Sequence, residues 1–154
     1  MTTWPDRRAL DLFGIELPIL LAPMAGFGTV ALAVAASRAG ALGALACASL
    51  TLEQADAAVA EVRRGASGSL NVNFFCHAPP VEDPVAMAAW RARLAPYHAE
   101  AGLDPAAPQT GQSRLPFDEA ACAWVERVRP EVVSFHFGLP PASLLVRVKA
   151  TGRA

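Results

Sequence analysis

The sequence lacks several features that define large classes of proteins. Its three cysteines cannot all pair with one another and none forms a Cys-x-x-Cys motif, so we expect reduced thiols and no structural zinc or other metal site. The longest apolar runs are much shorter than the roughly 18 residues of a membrane-spanning helix. Residues 1–11 also lack the apolar core of a signal peptide. We therefore expect a cytoplasmic protein with no membrane partner.

Neither sign of charge dominates the chain. Thirteen Lys and Arg residues against 14 Asp and Glu residues give a formal net charge of −1. Without a single-sign cluster, a nucleic acid is not an expected partner. A chain of 154 residues with 53% hydrophobic and 18% charged residues is long enough for about one folded domain with a real core.

The stretch 17–28, Leu-Pro-Ile-Leu-Leu-Ala-Pro-Met-Ala-Gly-Phe-Gly, contains the pattern that the rest of the chain repeats. The apolar run 19–22 shows no alternation, which predicts a parallel strand buried on both faces. Pro23 and the two glycines after it end this strand in a loop whose backbone can approach a ligand closely. Thr29 then predicts the N-cap of a helix that ends at Gly40.

Three further strand and helix pairs follow without a hairpin signal, so we expect right-handed parallel crossovers and an α/β fold. A second helix in the third pair follows residues 102–116, which are rich in Pro, Gly, Gln and Ser and predict an exposed excursion. Pro96 should kink or end the helix before it. The predicted strands span 42–46, 70–75 and 132–137, and the predicted helices span 51–65, 83–96, 117–128 and 140–152.

Two of these strands carry polar residues on one face. Alternation places Asn71 and Asn73 together on the third strand, and Ser134 and His136 together on the fourth, with Phe137 on the opposite, apolar face. We expect Asn71 to be satisfied by adjacent strand backbone, because an unsatisfied buried amide costs about 1 to 3 kcal/mol.

A polar interior at one end of the strands is typical of a closed barrel, which needs about eight strand and helix units. We therefore interpret residues 1–154 as a single incomplete domain, the amino-terminal half of a TIM-type (β/α)8 barrel with about four β/α units. A stand-alone, flavodoxin-like open sheet is the alternative fold, although Pro23-Met-Ala-Gly would be a poor phosphate-binding loop because proline removes a donor.

Four segments resemble the corresponding segments of the nitronate monooxygenases, formerly called 2-nitropropane dioxygenases, a family of FMN-dependent β/α barrels. They are Leu17-Pro-Ile-Leu-Leu-Ala-Pro-Met-Ala-Gly, Ala39-Gly-Ala-Leu-Gly, Leu70-Asn-Val-Asn-Phe-Phe and Val133-Ser-Phe-His-Phe-Gly. The resemblance implies oxidation of alkyl nitronates by flavin and O2 to a carbonyl compound and nitrite. The first segment alone also suits related FMN barrels, such as the enoyl-acyl-carrier-protein reductases.

The resemblance also implies roles for particular residues, since the strand ends of a barrel offer a flat flavin ring an apolar bed and hydrogen-bond partners. Ala22, Pro23 and Met24 would lie under the FMN ring, and Asn73 would contact it. His136 is the candidate catalytic residue, because a neutral imidazole at the barrel mouth can donate to a nitronate oxygen or hold charge as an electron leaves the substrate. Packing alone is the alternative role for Met24, Asn73 and His136.

Some of the family's functional parts have no counterpart in this sequence. The proposed catalytic base of the family lies in a Gly-Gly-His segment, and its FMN phosphate is held by glycine-rich loops of later units; neither is present here. We therefore expect the chain alone neither to bind FMN tightly nor to turn over. A non-catalytic half-barrel that pairs with itself or with a separate second half, through exposed sheet edges, is the alternative function. His77 and His98 are expected at loop or surface positions.

Overall fold

The computed structural model describes residues 4–79, 81–104, 107 and 114–151. These residues form two compact units, one within 4–77 and 114–151 and the other within 78–107. The first unit contains the sheet and the candidate site. The second contains a single described helix. Most of the predicted excursion at 102–116 lies outside the described residues, and those that are described form neither helix nor strand.

The first unit alternates strands and helices, and its three strands pair in parallel in the order β1, β2, β3. The predicted parallel α/β arrangement is thereby confirmed. No helix in the described part of the chain has the length and apolar character needed to cross a membrane. The elements are α1 Arg8–Phe13, α2 Val30–Arg38, β1 Gly43–Leu45, a 3-10 turn at Cys47–Ser49, α3 Leu52–Gly65, β2 Leu70–Phe75, α5 Glu119–Val128, β3 Val132–His136 and α6 Ala142–Ala150, with α4 Pro84–Glu100 in the second unit.

The predicted first strand is reduced to a single parallel bridge between Leu20 and Leu42. Leu21 N donates to Leu42 O at 3.0 Å, and Leu42 N donates to Ile19 O at the same distance. Ile19 and Leu20 are nevertheless 55% and 52% exposed, so the expectation of burial on both faces is wrong. The physical reason is that the segment has a neighbouring strand only on the β1 side within the described residues.

Helices α2, α3 and α4 begin where the sequence predicts them, because their caps are local, whereas α5 and α6 begin at Glu119 and Ala142, two residues after the predicted starts. The Thr29 hydroxyl accepts from Leu32 N at 3.1 Å. Thr51 and Gln54 form the predicted capping box, with bonds of 3.2 and 2.9 Å. α4 continues through Pro96 to Glu100, so Pro96 does not end the helix.

The two faces of β2 have different neighbours. Leu70, Val72 and Phe74 join the core formed with the helices, where the Phe74 ring lies edge-on to Phe117 at 5.1 Å and to Trp124 at 6.0 Å. The two asparagines therefore face away from the helices, as alternation predicts. At the amino-terminal end of the strands, Leu10 and Ile15 from the segment before the first strand form a second apolar cluster with Leu42 and Val132.

Arginines connect the carboxyl ends of successive helices around this unit. Arg38 of α2 donates to Gly65 O at the end of α3 at 2.7 Å. Arg63 of α3 donates to Val128 O at the end of α5 at 2.9 Å, and Arg129, next to α5, donates to Thr151 O after α6 at 3.0 Å. The last carbonyls of a helix have no partner within it and carry a negative partial charge, so each arginine stabilises the neighbouring helix end.

We predict that Arg63→Met destabilises the fold by about 1 to 2 kcal/mol, because it removes charged donors from Val128 O and Arg129 O. Arg64→Met is the matched control, as Arg64 is also exposed and makes no hydrogen bond in the described structure. Urea unfolding followed by circular dichroism measures both. Equal losses in the two variants would show that the bonds of Arg63 contribute nothing.

Candidate active site

A hydrogen-bonded group of three side chains lies at the carboxyl ends of β2 and β3. The parallel register places Asn73 beside Ser134, and Phe75 beside His136. Asn73 Nδ2 donates to both the carbonyl oxygen and the hydroxyl oxygen of Ser134, each at 3.0 Å. Asn73 Oδ1 lies 3.1 Å from Nδ1 of His136. Asn73, only 1% exposed, thus joins a buried strand to an exposed imidazole.

These bonds determine the orientation of the imidazole and its proton. A backbone carbonyl only accepts, so the amide nitrogen of Asn73 must face Ser134 and its oxygen must face His136. An amide oxygen also only accepts, so Nδ1 of His136 carries the hydrogen. In the neutral ring Nε2 is then the acceptor, and it has no protein partner in the part of the chain that the structure describes. The site offers a positioned, solvent-facing imidazole nitrogen.

The His136 imidazole belongs to a group of four rings at the mouth. The Phe75 ring lies 4.9 Å from Phe137 and 6.2 Å from both His77 and His136, measured between centroids. His136 and Phe137 are themselves 6.2 Å apart and tilted by 55°. His77 lies in the loop after β2, in agreement with the expected loop or surface position, and is half-buried in this group, which we call the mouth ring cluster.

Phe137 departs from its predicted position. β3 ends at His136, and Phe137 adopts a left-handed backbone with φ of 66°. The turn removes it from the apolar face of the strand and leaves its side chain 68% exposed in the mouth ring cluster. A positive φ at an aromatic residue costs roughly 1 kcal/mol or more.

A concave, mostly apolar cavity of about 470 Å³ lies beside the first residues of β2 and β3, where Leu42, Asn71 and Val132 line it, and its lining does not include Asn73 or His136. Ala22 and Pro23 line it, together with Asn71 and Ser134, so two residues expected under a flavin ring share a cavity with the partner of Asn73. The expectation for Asn71 is wrong: its Oδ1 is buried without a hydrogen-bond partner among the described residues. Asn71 itself lines the cavity, while this oxygen is covered by neighbouring atoms.

Met24 follows Pro23 in a tight turn. Its carbonyl accepts from Phe27 N at 3.2 Å and from Gly28 N at 2.6 Å. A Cβ at Gly28 would lie 2.9 Å from that carbonyl oxygen, so the turn requires glycine there. The turn holds the Met24 side chain partly exposed beside the cavity, and no described contact joins it to Asn73 or His136.

The cysteines are free thiols. Burial raises the pKa of Cys47 to about 12, against a smaller opposing effect of a hydrogen bond with the Asn73 backbone. Burial also raises the pKa of Cys76, which lies between Phe75 and His77. The Cys47 thiol therefore stays protonated near neutral pH and does not serve as a nucleophile.

The other sequence expectations have mixed outcomes. His98 lies in the last turn of α4 rather than in a loop. Within the described residues no cluster of three or more His, Cys, Asp and Glu side chains could hold a metal ion. The residues that sequence reasoning missed are Ser134, Phe75 and Phe137; the only signal for Ser134 was that it shares a strand face with His136.

Comparisons with known proteins agree on one family. The family model described as nitronate monooxygenase matches residues 7–154. The chain is 37% identical over 154 residues to a nitronate monooxygenase of Paraburkholderia phytofirmans, covering 99% of this chain and 42% of that protein. It is 40% identical over 147 residues to one of Pseudomonas aeruginosa, covering 94% and 42%. The chain therefore spans about two-fifths of these relatives, consistent with the predicted amino-terminal half.

Solved structures show the same fold. A nitroalkane oxidase from Streptomyces ansochromogenes superposes with a TM-score of 0.78 at 30% identity, covering 94% of this chain and 40% of that one. FabK from Thermotoga maritima superposes with a TM-score of 0.63 at 23% identity, covering 95% and 35%, and shows the fold alone. The expectation of a partial β/α barrel is confirmed by the first match together with the parallel sheet.

We predict that neutral His136 is held in the Nδ1–H tautomer, because Asn73 Oδ1 can only accept. Long-range ¹H–¹⁵N correlation spectra of the imidazole, recorded at a pH where the ring is neutral, measure this directly. In Asn73→Ala the restriction to that tautomer should disappear. A neutral ring with the hydrogen on Nε2 in the unsubstituted chain would contradict the bonding described here.

Proposed function

Because the chain belongs to the nitronate monooxygenase family, we propose that it supplies part of the active site of an FMN-dependent enzyme that oxidises alkyl nitronates with O2. The products would be a carbonyl compound and nitrite. The chain covers about two-fifths of its relatives, so this activity is proposed for the whole protein. We propose the cytoplasm as its location.

The arrangement of His136 carries this proposal. The imidazole is oriented by Asn73 through Nδ1, and Nε2 has no protein partner among the described residues. A nitronate bears negative charge on its two oxygens, so Nε2 would donate a hydrogen bond to one of them from the imidazolium. The expectation that a neutral imidazole donates this bond is corrected, because the hydrogen of the neutral ring lies on Nδ1 and Nε2 is then only an acceptor. In both states Asn73 keeps the ring in place, because Nδ1 donates in the neutral tautomer and in the imidazolium.

The cavity supports FMN as the cofactor. Its lining is mostly apolar, as a flat ring requires, and Asn71 Oδ1 offers a buried acceptor that lacks a donor among the described residues. Ala22 and Pro23 would lie against the ring, Met24 would contact it from the adjacent turn, and Asn73 would border it at the mouth. When bound, FMN would supply the electron acceptor for the substrate.

The remaining functional parts would come from outside this chain. The sequence has no Gly-Gly-His segment, and we assign the main base and the phosphate site to the part of the relatives that the chain does not cover. The chain's own residues would orient the substrate and line the ring. An enoyl-thioester reductase is the alternative chemistry for this fold, since FabK shares it, and the substrate test below separates the two.

A second candidate function is self-association of a non-catalytic half-barrel. β3 pairs only with β2 within the described residues, and Leu20, at the opposite side of the sheet, is half exposed beside the apolar cavity. Unpaired parallel edges and an apolar concave face are the surfaces through which two copies could associate.

The enzymatic proposal is tested in a chimera of this chain with the remaining part of the Pseudomonas aeruginosa relative. We expect turnover of nitronates, and His136→Asn should lower kcat/KM about 100-fold while leaving the flavin absorption spectrum intact. As comparators, Asn73→Ala and Met24→Ala should weaken retention of FMN on gel filtration.

Unchanged kinetics in His136→Asn would assign that residue to packing. Undiminished FMN retention in the other two variants would remove Asn73 and Met24 from the site. Reduction of an enoyl thioester in place of nitronate oxidation would favour the alternative chemistry.

The self-association proposal is tested by sedimentation velocity on the chain alone. A dimer at micromolar concentration is the expected result, and Leu20→Lys should convert it to a monomer because it places a charge on the apolar face. Leu139→Lys, at an exposed leucine beyond β3, is the matched control and should stay dimeric. A monomeric unsubstituted chain excludes this function.

A further inference from the structure

The mouth ring cluster contains apolar surface that the roles above do not use. The imidazole of His136 accounts for the charged part of a substrate, but the exposed Phe137 ring beside it has no assigned role. Phe75 supports it from below, with the two rings edge to face at 4.9 Å and 72°. Phe75 is itself held by the strand and by the bond from Phe117 N to its carbonyl oxygen at 2.7 Å.

Packing alone does not account for the position of Phe137. Residues buried for stability normally gain by leaving water, but this side chain remains mostly exposed while its backbone is in the left-handed region. The residue after it is Gly138, with φ of 115°, so the turn already contains a residue suited to such angles. Strain combined with exposure is a feature of residues that contact ligands.

We propose that Phe137, supported by Phe75, is a specificity-determining residue that contacts the alkyl substituent of the substrate while the charged head accepts a hydrogen bond from Nε2 of the His136 imidazolium. This inference rests on the proposed function and adds to it the residue that selects among alkyl nitronates by the length of their alkyl chain. Two parts of the site match such a substrate. Nε2 of His136 would bind its charged head, and the Phe137 ring would remove the first methylenes from water. The centroids of the two rings are 6.2 Å apart.

The test uses the full chain labelled with ¹⁵N and titrated with ethyl, butyl and hexyl nitronates. Binding should tighten about threefold for each methylene that contacts the ring. In Phe137→Ala the shortest nitronate should bind with unchanged affinity. Each added methylene should then leave the binding affinity nearly unchanged. Leu139→Ala, an exposed apolar residue two positions away, is the control and should keep the full gain.

Phe137→Gly provides a second variant that cannot fail through backbone strain, because glycine adopts φ of 66° freely. It should lose the chain-length dependence while its unfolding midpoint in urea does not fall. A merely structural role predicts the opposite, with a lower midpoint and an unchanged dependence.

Matched alkyl carboxylates separate this inference from the proposed function. If carboxylates and nitronates show the same dependence on Phe137 while the chimera does not turn over nitronates, the apolar contact stands and the assignment of nitronate as substrate fails. If the dependence on chain length persists in Phe137→Ala, or if no alkyl anion shifts the resonances of His136 and Phe137, the inference is overturned.

Discussion

The parallel register between β2 and β3 is the constraint on which the site depends. It places Asn73 beside Ser134 and Phe75 beside His136. Because side chains alternate along a strand, a slip of one residue would turn both asparagines toward the helices and leave the imidazole without its acceptor. Val72 and Phe74, which alternate with the asparagines along β2, prevent this slip, because they would then lose their places in the core. Hydrophobic burial on one face thus fixes polar geometry on the other.

The two ends of the sheet differ in how well their polar groups are satisfied. At the amino-terminal end, arginines satisfy the last carbonyls of successive helices, and an apolar cluster closes the sheet. At the carboxyl end, the buried amide of Asn73 orients the imidazole of His136, and Nε2 of that ring has no protein partner among the described residues. In β/α barrels the former end serves stability and the latter carries the chemistry, and this chain shows both patterns.

The sequence predicts what is decided locally. The capping box at Thr51 and the alternation along β2 depend on residues within one or two turns, and both agree with the structure. The predicted parallel pairing also places Asn73 and His136 at the same end of the sheet. The bond between them could not be derived, because it depends on a register between strands 60 residues apart in the chain.

Other features depend on which neighbour a segment has, and the sequence alone does not reveal that. The apolar run before Pro23 has the composition of a buried strand, yet it forms one bridge because only β1 lies beside it in the described structure. Phe137 continues the alternation of β3 in sequence, but the turn begins there instead of at Gly138. A pattern rule assigns an aromatic residue to the strand, since a positive φ is expected of glycine.

The features that cost this fold stability are concentrated on one face of the sheet. The unpartnered oxygen of Asn71, the strained backbone of Phe137 and the exposed Leu20 all belong to the cavity side or the mouth of the sheet. The helix side of the same strands is apolar and well packed, with Val72 fully buried. Local rules alone would fill the cavity side with apolar residues, at no cost to the register. The unpartnered oxygen and the exposed ring on this side are explained most directly by a ligand or a protein that contacts them.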